Sequence, residues 1–235
     1  MKEKGIIYLL PSSLGDPSPD VLPGYACQTA YSISFFIVEN EKSARRFLRS
    51  IGYKRNFEEG MMLLMHRDEN FLPTKELTDY LLSGKNVGVI AEAGSPGIAD
   101  PGAAVVSWAH RNNIRVVPLV GPSSIFLALM ASGLNGQQFV FHGYLPVKPT
   151  ERRKHLKQLE EESRRKNETQ IFIETPYRND SLLKDILNVC KPTSRLCIAS
   201  DITLLTEKIF TQAVSAWRKN IPDLKKKPTI FLLLA

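Results

Sequence analysis

Apolar positions along this chain come in two alternating kinds of run. Short, β-branched or aromatic runs stand at residues 5–10 (GIIYLL), 34–39 (SFFIVE), 61–66 (MMLLMH), 87–91 (VGVIA) and 114–120 (IRVVPLV). Each reads as a strand, and those without polar alternation read as strands buried on both faces. The stretches between them carry helical spacing. Residues 42–51 place Ala44, Phe47, Leu48 and Ile51 on one side and Lys42, Arg45, Arg46 and Arg49 on the other, which predicts a surface helix. Residues 74–83 read as a helix capped by Thr74, with Leu77, Leu81 and Leu82 inward and Gly84 as its stop. Further helices are predicted at 22–31, 101–112 and from the 121–124 turn to Ser132, stopped by Gly133. Strand and helix in strict alternation predict an α/β unit with a mainly parallel sheet covered on both faces.

Beyond Gly133 the pattern changes. Strands are predicted at 138–144, 170–174, 195–199, 207–211 and 228–234, and helices at 151–166, 181–189 and 213–219. This half is expected to carry a mixed sheet. The seam falls around 118–122, giving an α/β domain over 1–118 and a second over 119–235. No internal repeat or low-complexity segment interrupts either half.

The organising stretch is 87–108. A buried strand runs into Glu92-Ala93-Gly94-Ser95-Pro96-Gly97-Ile98-Ala99, and a helix follows with Asp100 as N-cap and Pro101 at its first position. Small residues let a ligand approach main-chain groups. Open α/β sheets bind ligands at the carboxyl ends of their strands. Two other loops share this composition and position, 11–16 (PSSLGD) and 121–124 (GPSS). If their strands are neighbours, the loops meet at one crevice. The plainer reading, that turns in any α/β protein favour Gly, Pro and Ser, stands beside it.

Composition narrows the field. A hydrophobic fraction of 43% and a charged fraction of 23% describe an ordinary globular chain of 235 residues. No apolar run approaches a membrane span. The apolar piece at 5–10 is too short for a signal core and is cut off by Pro11, so a cytoplasmic protein is expected. Cys27, Cys190 and Cys197 form no C-x-x-C, and His66, His110, His142 and His155 are scattered. Neither a metal site nor a disulfide framework is expected. Thirty-one Lys and Arg against 24 Asp and Glu leave a net charge of +7, which suits an acidic partner without requiring one. The excess is uneven. Residues 143–157 set Lys148, Arg152, Arg153, Lys154 and Lys157 beside Tyr144, a composition that suits a phosphate backbone. Glu160, Glu161 and Glu162 follow, so a solvated helix face fits equally. Lys225-Lys226-Lys227 before the last strand reads as solvated. Glu174 and Arg178 stand four apart after a strand, either as a substrate-orienting pair or as a buried structural one. The phosphate loops G-x-x-x-x-G-K-[ST] and G-x-G-x-x-G and the nucleophile elbow G-x-S-x-G are absent from the sequence.

Four runs in order carry a resemblance. Glu92 to Gly102 (EAGSPGIADPG) follows D-A-G-[TS]-P-x-[IV]-x-D-P-G. Residues 114–124 follow I-x-V-x-P-x-P-G-[PA]-[SC]-A, with Val120 and Ser124 in place of the usual proline and alanine. Gly143-Tyr144-Leu145-Pro146-Val147-Lys148 through Arg152-Arg153 follows G-F-L-P-x-K-x-x-x-R-R, and Glu174 to Arg178 follows E-[SA]-x-x-R. The chain resembles the tetrapyrrole methylase superfamily, the class III S-adenosylmethionine-dependent methyltransferases. Within it, the chain is most similar to the ribosomal small-subunit RNA cytidine 2′-O-methyltransferases. The match covers nearly the whole chain. Four signatures depart from the pattern. P-T-P-I-G-N is here Pro11 to Asp16 (PSSLGD), A-E-D-T-R is Val38-Glu39-Asn40-Glu41-Lys42, A-R-E-[LI]-T is Ala199 to Thr203 (ASDIT), and G-E-[FM] is Lys227-Pro228-Thr229.

The resemblance implies two α/β domains with S-adenosyl-L-methionine in the cleft between them, and a homodimer. It implies cofactor contacts at Leu14, Ser95, Ile98, Ser124, Ile125, Ile173, Ala199, Pro228 and Thr229, with the main chain from Glu92 to Gly94 near the methionine end. Lys148, Arg152, Arg153 and Arg178 would bind RNA or the ribosomal small subunit. Glu39, Glu174 and Glu207 are the carboxylates at matched positions that can remove a proton from the acceptor. The implied activity is methyl transfer to a ribose 2′-oxygen of small-subunit RNA. A small-molecule methyltransferase of the tetrapyrrole kind, and a cofactor-binding module without catalysis, are the alternatives the departures leave open.

Overall fold

The computed structural model describes residues 3–15, 19–57, 62–65 and 71–235. Asp16, at the end of the first small-residue loop, and Met61 and His66, the ends of the predicted third strand, lie outside the described residues. The chain divides into two compact units, Met1–Ser123 and Ser124–Ala235.

The first unit alternates strand and helix: β1 (Ile7–Leu10), α1 (Gly24–Ser32), β2 (Phe35–Val38), α2 (Glu41–Ser50), β3 (Met62–Leu64), α3 (Lys75–Leu82), β4 (Val87–Ile90), α4 (Gly102–Arg111) and β5 (Val116–Pro118). The strands pair in the order β3-β2-β4-β1-β5, every pair parallel. Successive β2 residues point to opposite faces. Phe35 and Ile37 pack with Leu77 and Leu81 of α3 and Val105 and Trp108 of α4. Phe36 and Val38 pack with Ala30 of α1 and Ala44, Phe47 and Leu48 of α2. Both faces are thus covered, as the alternation predicts, and the central strands read as unbroken apolar runs. Gly88, in the middle of β4, leaves the room its neighbours fill. A Cβ there would stand 2.6 Å from Leu10 Cδ1 and 2.9 Å from Phe36 Cδ1.

Local chemistry sets the ends of these elements. Asn40 Oδ1 accepts from Ser43 N at 3.1 Å and Thr74 Oγ1 from Leu77 N at 3.1 Å, capping α2 and α3. β5 is an edge strand, and the proline within it costs no bond to β1: Arg115 O accepts from Ile7 N at 2.9 Å and Leu119 N donates to Leu9 O at 3.1 Å, so the position of Pro118 faces away from the ladder.

The second unit contains α5 (Ser124–Ser132), β6 (Phe139–Tyr144), α6 (Pro149–Lys166), β7 (Thr169–Ile173), α7 (Asn179–Val189), β8 (Arg195–Ser200), β9 (Lys208–Ala213), α8 (Val214–Trp217) and β10 (Thr229–Leu234). Its sheet runs β6-β7-β10-β8-β9, with β6 and β7 parallel and the other pairs antiparallel. The mixed sheet expected for this half is therefore present. β10 is central and wholly buried. Leu156 and Leu159 of α6 and Leu182, Leu183 and Ile186 of α7 pack with Phe172, Ile198 and Phe231 in one core. α5 packs on β8, β9 and β10. α6 starts two residues earlier than its spacing predicts, since a proline in the first helical turn has no N–H to lose. It ends at Asn167 in the left-handed conformation, φ 52°.

Arg152 corrects an expectation. Within a basic run it reads as a solvated phosphate ligand, yet its side chain is 2% exposed. Nε donates to Asp185 Oδ2 at 2.8 Å, and Nη2 donates to Ser181 Oγ at 2.9 Å. Nη1 reaches Val147 O at 3.3 Å. The guanidinium is spent on joining α6 to α7 and to the loop before α6. Removing one member of such a pair strands the other charge in the interior. Arg152→Met is therefore expected to destabilise the second unit by roughly 3–5 kcal/mol in denaturant unfolding. Adding Asp185→Leu should recover most of that loss, and a double variant no more stable than the single one would show that the pair is not what holds these helices.

Candidate functional site

Because β2, β4, β1 and β5 are parallel neighbours, the loops that follow them leave along one edge of the sheet. The first two small-residue loops are stitched by a two-residue bridge. Ser12 N donates to Gly94 O at 2.9 Å, and Gly94 N donates to Ser12 O at 3.2 Å. Ser12 Oγ adds a bond to Ala91 O at 3.0 Å. Ser95 Oγ donates to Pro122 O at 3.3 Å and ties in the third loop. Gly121 is required there, since a Cβ would stand 2.2 Å from Pro11 Cβ. Leu14 lies over Gly94, whose added Cβ would meet Leu14 Cδ2 at 3.0 Å. Leu14, Gly94 and Ser95 are thus brought together, and Ile98 projects from the same loop, half exposed.

Asp100 holds the second loop in shape. Its Oδ1 accepts from Gly97 N at 2.9 Å and from Gly102 N at 2.6 Å. The regular helix begins at Gly102 with Pro101 in the cap position, one residue later than expected, but the N–H of its first residue is still satisfied by Asp100. Burial pushes the Asp100 carboxyl up, against the lowering effect of the N–H groups of Gly97 and Gly102 and with a further rise from Glu39. Gly94, Gly97 and Ala99 all have positive φ, at 76°, 88° and 61°. The loop turns repeatedly and keeps its side chains small. A Cβ added to Gly97 would meet nothing within 4 Å. The result is a small-residue cradle, buried at Gly94 and open at Gly97, Ile98 and Ala99.

Glu39 follows β2 on the same edge, and its Oε1 accepts from Glu92 N at 3.0 Å. Glu92 is exposed, with Oε1 3.5 Å from Ser43 Oγ. Two of the departures in the second-strand signature have structural explanations. Asn40 caps α2 as an aspartate would, and Glu41 pairs with Arg45 at 2.8 Å.

In the second unit, Ile173, Ile230 and Ala199 form one row across β7, β10 and β8, with Thr229 beside it opposite Ser200. Ala199 and Thr229 are buried within the sheet, so Pro228 and the half-buried Ile173 carry the open surface of this group. Ser124 and Ile125 open α5; Ser124 is half-buried and Ile125 is buried. Lys148 is exposed, 3.4 Å from Glu151. Arg153 Nε donates to Pro149 O at 3.1 Å and lies 3.5 Å from Asp185. Glu174 is buried, and its Oε1 accepts from Thr175 N at 2.7 Å and from Arg178 Nη2 at 2.6 Å. Glu174 Oε2 and Arg178 Nε are buried without a partner. Of the two readings of this pair, the buried one holds for Glu174, and Arg178 stays partly open. Glu207, exposed, accepts from Thr203 N at 2.7 Å and closes the turn in which Asp201 and Thr203 have positive φ.

A family model described as Tetrapyrrole (Corrin/Porphyrin) Methylases matches residues 20–216. The chain belongs to the tetrapyrrole methylase family. It is a methyltransferase by that membership. Among its relatives is the ribosomal RNA small subunit methyltransferase I of Xylella fastidiosa (strain Temecula1), 30% identical over 90% of this chain and 72% of the relative. The protein of the same name from Escherichia coli O157:H7 is 28% identical over 98% of this chain and 78% of the relative. Uroporphyrin III C-methyl transferase from Thermus thermophilus shares the fold, with a TM-score of 0.57 at 16% identity over 98% of this chain and 97% of that one. The methyltransferase CobJ does so with a TM-score of 0.60 at 17% identity over 98% and 94%.

Burial raises the pKa of all three thiols, including the half-buried Cys27. Cys190 and Cys197 are buried; burial and Glu160 push the Cys190 thiol up to about 12, and burial raises that of Cys197. Among the described residues no group of three or more His, Cys, Asp and Glu stands where it could hold a metal ion. Sequence reasoning missed Ser12, whose bridge to Gly94 joins two loops and to which only loop composition pointed; it read Asp100 as a helix cap but not as the lock on Gly97.

Two outcomes test this geometry. Gly94→Ala forces an L residue into φ 76° against Leu14, and a loss of about 1–2 kcal/mol is expected in unfolding measurements. Asp100 binds a proton more readily folded than unfolded, so its contribution to stability falls as pH rises from about 3.9 through its raised folded value. Across that window the stability of Asp100→Asn relative to the parent should increase with pH; a decrease would contradict the burial effect.

Proposed function

We propose that this tetrapyrrole methylase uses S-adenosyl-L-methionine to methylate RNA of the ribosomal small subunit. The observation that carries the cofactor is the cradle at the carboxyl edge of the first sheet, where the Ser12–Gly94 bridge and the Ser95–Pro122 bond hold three loops together. Its small side chains, and the main chain at Gly97 that a Cβ would not crowd, fit a ligand with a carboxylate, an ammonium and a nucleoside to seat. Leu14, Glu92, Gly94, Ser95 and Ile98 are the proposed contacts in the first unit. Ser124, Ile125, Ile173, Pro228 and Thr229 are those in the second, with Ala199 as support within the sheet. When bound, the cofactor supplies a methyl group already activated on a sulfonium. The chain's task is then to seat the acceptor oxygen in line, which positioning alone makes worth several kcal/mol of barrier, roughly 7–11 in favourable cases.

A ribose hydroxyl must also lose its proton. Glu174 is buried beneath Arg178, and Glu207 lies in the turn after β8. Glu39 is the matched carboxylate that adjoins the first-unit loops, through Glu92 N, and is the proposed base. RNA as acceptor rests on the names of the relatives and on the exposed cations Lys148 and Arg153. Homodimerisation and a cytoplasmic location belong to the same proposal; light scattering on a sizing column reads the first. No helix among the described residues is long and apolar enough to cross a membrane.

Calorimetry with S-adenosyl-L-methionine should show one site per chain, weakened by Gly94→Ala. Labelled methyl groups should enter small-subunit RNA from a strain lacking this gene, and Glu39→Gln should lower kcat by about 10²–10⁴ while leaving cofactor affinity intact. Absence of cofactor binding would end the proposal. Cofactor binding with label in a small molecule and none in RNA would replace RNA by a tetrapyrrole-type acceptor.

A further inference from the structure

The turn after β7 joins an exposed aromatic ring to two sources of positive charge. Tyr177 is 82% exposed, the side chain of Arg178 is 36% exposed, and Lys225 and Lys226 are exposed. The pieces are joined by hydrogen bonds to main-chain oxygens. Lys226 N donates to Pro176 O at 3.2 Å, Arg178 N donates to Thr175 O at 2.9 Å, and Asn179 Nδ2 donates to Lys227 O at 2.7 Å. Arg178 is held from beneath by Glu174 at 2.6 Å, a carboxylate with no exposed side-chain surface. The neighbouring acids are engaged with the backbone: Asp180 Oδ1 accepts from Leu224 N at 3.2 Å and Asp223 Oδ1 from Lys225 N at 3.0 Å. β6 ends next door, with Tyr144 paired in register with Ile173 and itself 46% exposed.

A large ring left in water on a rigid turn gains nothing for folding. With Arg178 next to it in sequence and Lys226 bonded through its main chain to Pro176, it matches how unpaired nucleic acid is held, with bases on aromatic faces and phosphates on Lys and Arg. A duplex keeps its base faces inside and cannot use such a ring. We propose that the 175–178 turn and the 225–227 lysine run form a clamp for single-stranded RNA, with Tyr177 stacking on an unpaired base and Arg178 and Lys226 holding the phosphates beside it. This makes the acceptor an unpaired nucleotide and rests on RNA being the substrate. Glu174 is a positioning residue here, acting through Arg178.

The test uses the full chain and fluorescence anisotropy with a labelled, unstructured 12-nucleotide RNA, alone and annealed to its complement. Tyr177→Ala is expected to weaken single-strand binding about tenfold, Tyr177→Phe to preserve it, and neither to change duplex binding. Lys225→Gln with Lys226→Gln should flatten the salt dependence, by about 0.7 in the slope of log K against log salt for each phosphate no longer neutralised. Wild-type-like binding by Tyr177→Ala, or a wild type that prefers the duplex, overturns the clamp. In methyl transfer, Tyr177→Ala should raise KM for RNA and leave cofactor affinity unchanged. Methylated RNA with an unchanged KM defeats the clamp while the proposed function stands. Tyr177-dependent binding without methyl transfer defeats that function while the clamp stands.

Discussion

Parallel strand order is the constraint on which the first unit's surface depends. β4, β1 and β5 lie side by side and point the same way, so their carboxyl-terminal loops have nowhere to go but the same edge. That alone would give three adjacent loops of independent shape. The exchange of two hydrogen bonds between Ser12 and Gly94 turns them into one surface, and it works only because Gly94 accepts a left-handed backbone. Gly121 allows the third loop to lie on Pro11, and Asp100 closes the far end by holding Gly97 to the start of α4. Each device satisfies main-chain groups locally and leaves side chains out of the way. A surface made this way is held in shape by its own hydrogen bonds, with the main chain at Gly97 left uncrowded.

The second unit solves its problems with buried charge. Arg152–Asp185 joins α6 to α7, and Glu160 takes Lys191 N and Ser194 Oγ, both at 2.6 Å, to fix the chain between α7 and β8. Hydrophobic replacements of the same volume often cost nothing in such places. What charge adds is direction, because the Arg152 fork also reaches Val147 O and so sets the loop that carries Lys148. The Glu174–Arg178 pair acts in the same manner on the next loop. Both loops stand at the carboxyl ends of the parallel pair β6 and β7.

Much of this fold is legible in the sequence. The strands and helices follow from period and from end signals such as Asn40 and Thr74, which act within one turn of the residues they cap. The shared composition of three loops is visible, and the parallel sheet makes their meeting a reasonable expectation. What stays hidden depends on partners far along the chain. Nothing near Arg152 announces Asp185, and a basic run with one buried member looks like a basic run. The left-handed backbone of Ala99 and the bridge at Ser12 are likewise fixed by tertiary packing, since neither residue favours that geometry by itself. Lys225-Lys226-Lys227 reads as solvated, and it is; its closeness to Tyr177 comes from a backbone bond between Lys226 and Pro176 that no local pattern encodes.

The departures from the family's signatures acquire a different weight once the contacts are seen. Asn40 and Glu41 stand where the second-strand signature has aspartate and threonine, and read alone they argue for lost activity. Asn40, however, accepts the Ser43 N–H that an aspartate would accept, and Glu41 binds Arg45 on the helix surface. Neither change disturbs Glu39, whose carboxylate still meets Glu92 N across the sheet edge. The altered positions therefore keep the frame of the first unit's edge. Gly94 and Gly97 keep their positive φ beside it, and the half-buried Asp100 still holds Gly97 to the start of α4. The substitutions fall at the start of the helix that flanks the edge and not on the loops that form it, so they change the signature's letters and leave the geometry around Glu39 in place.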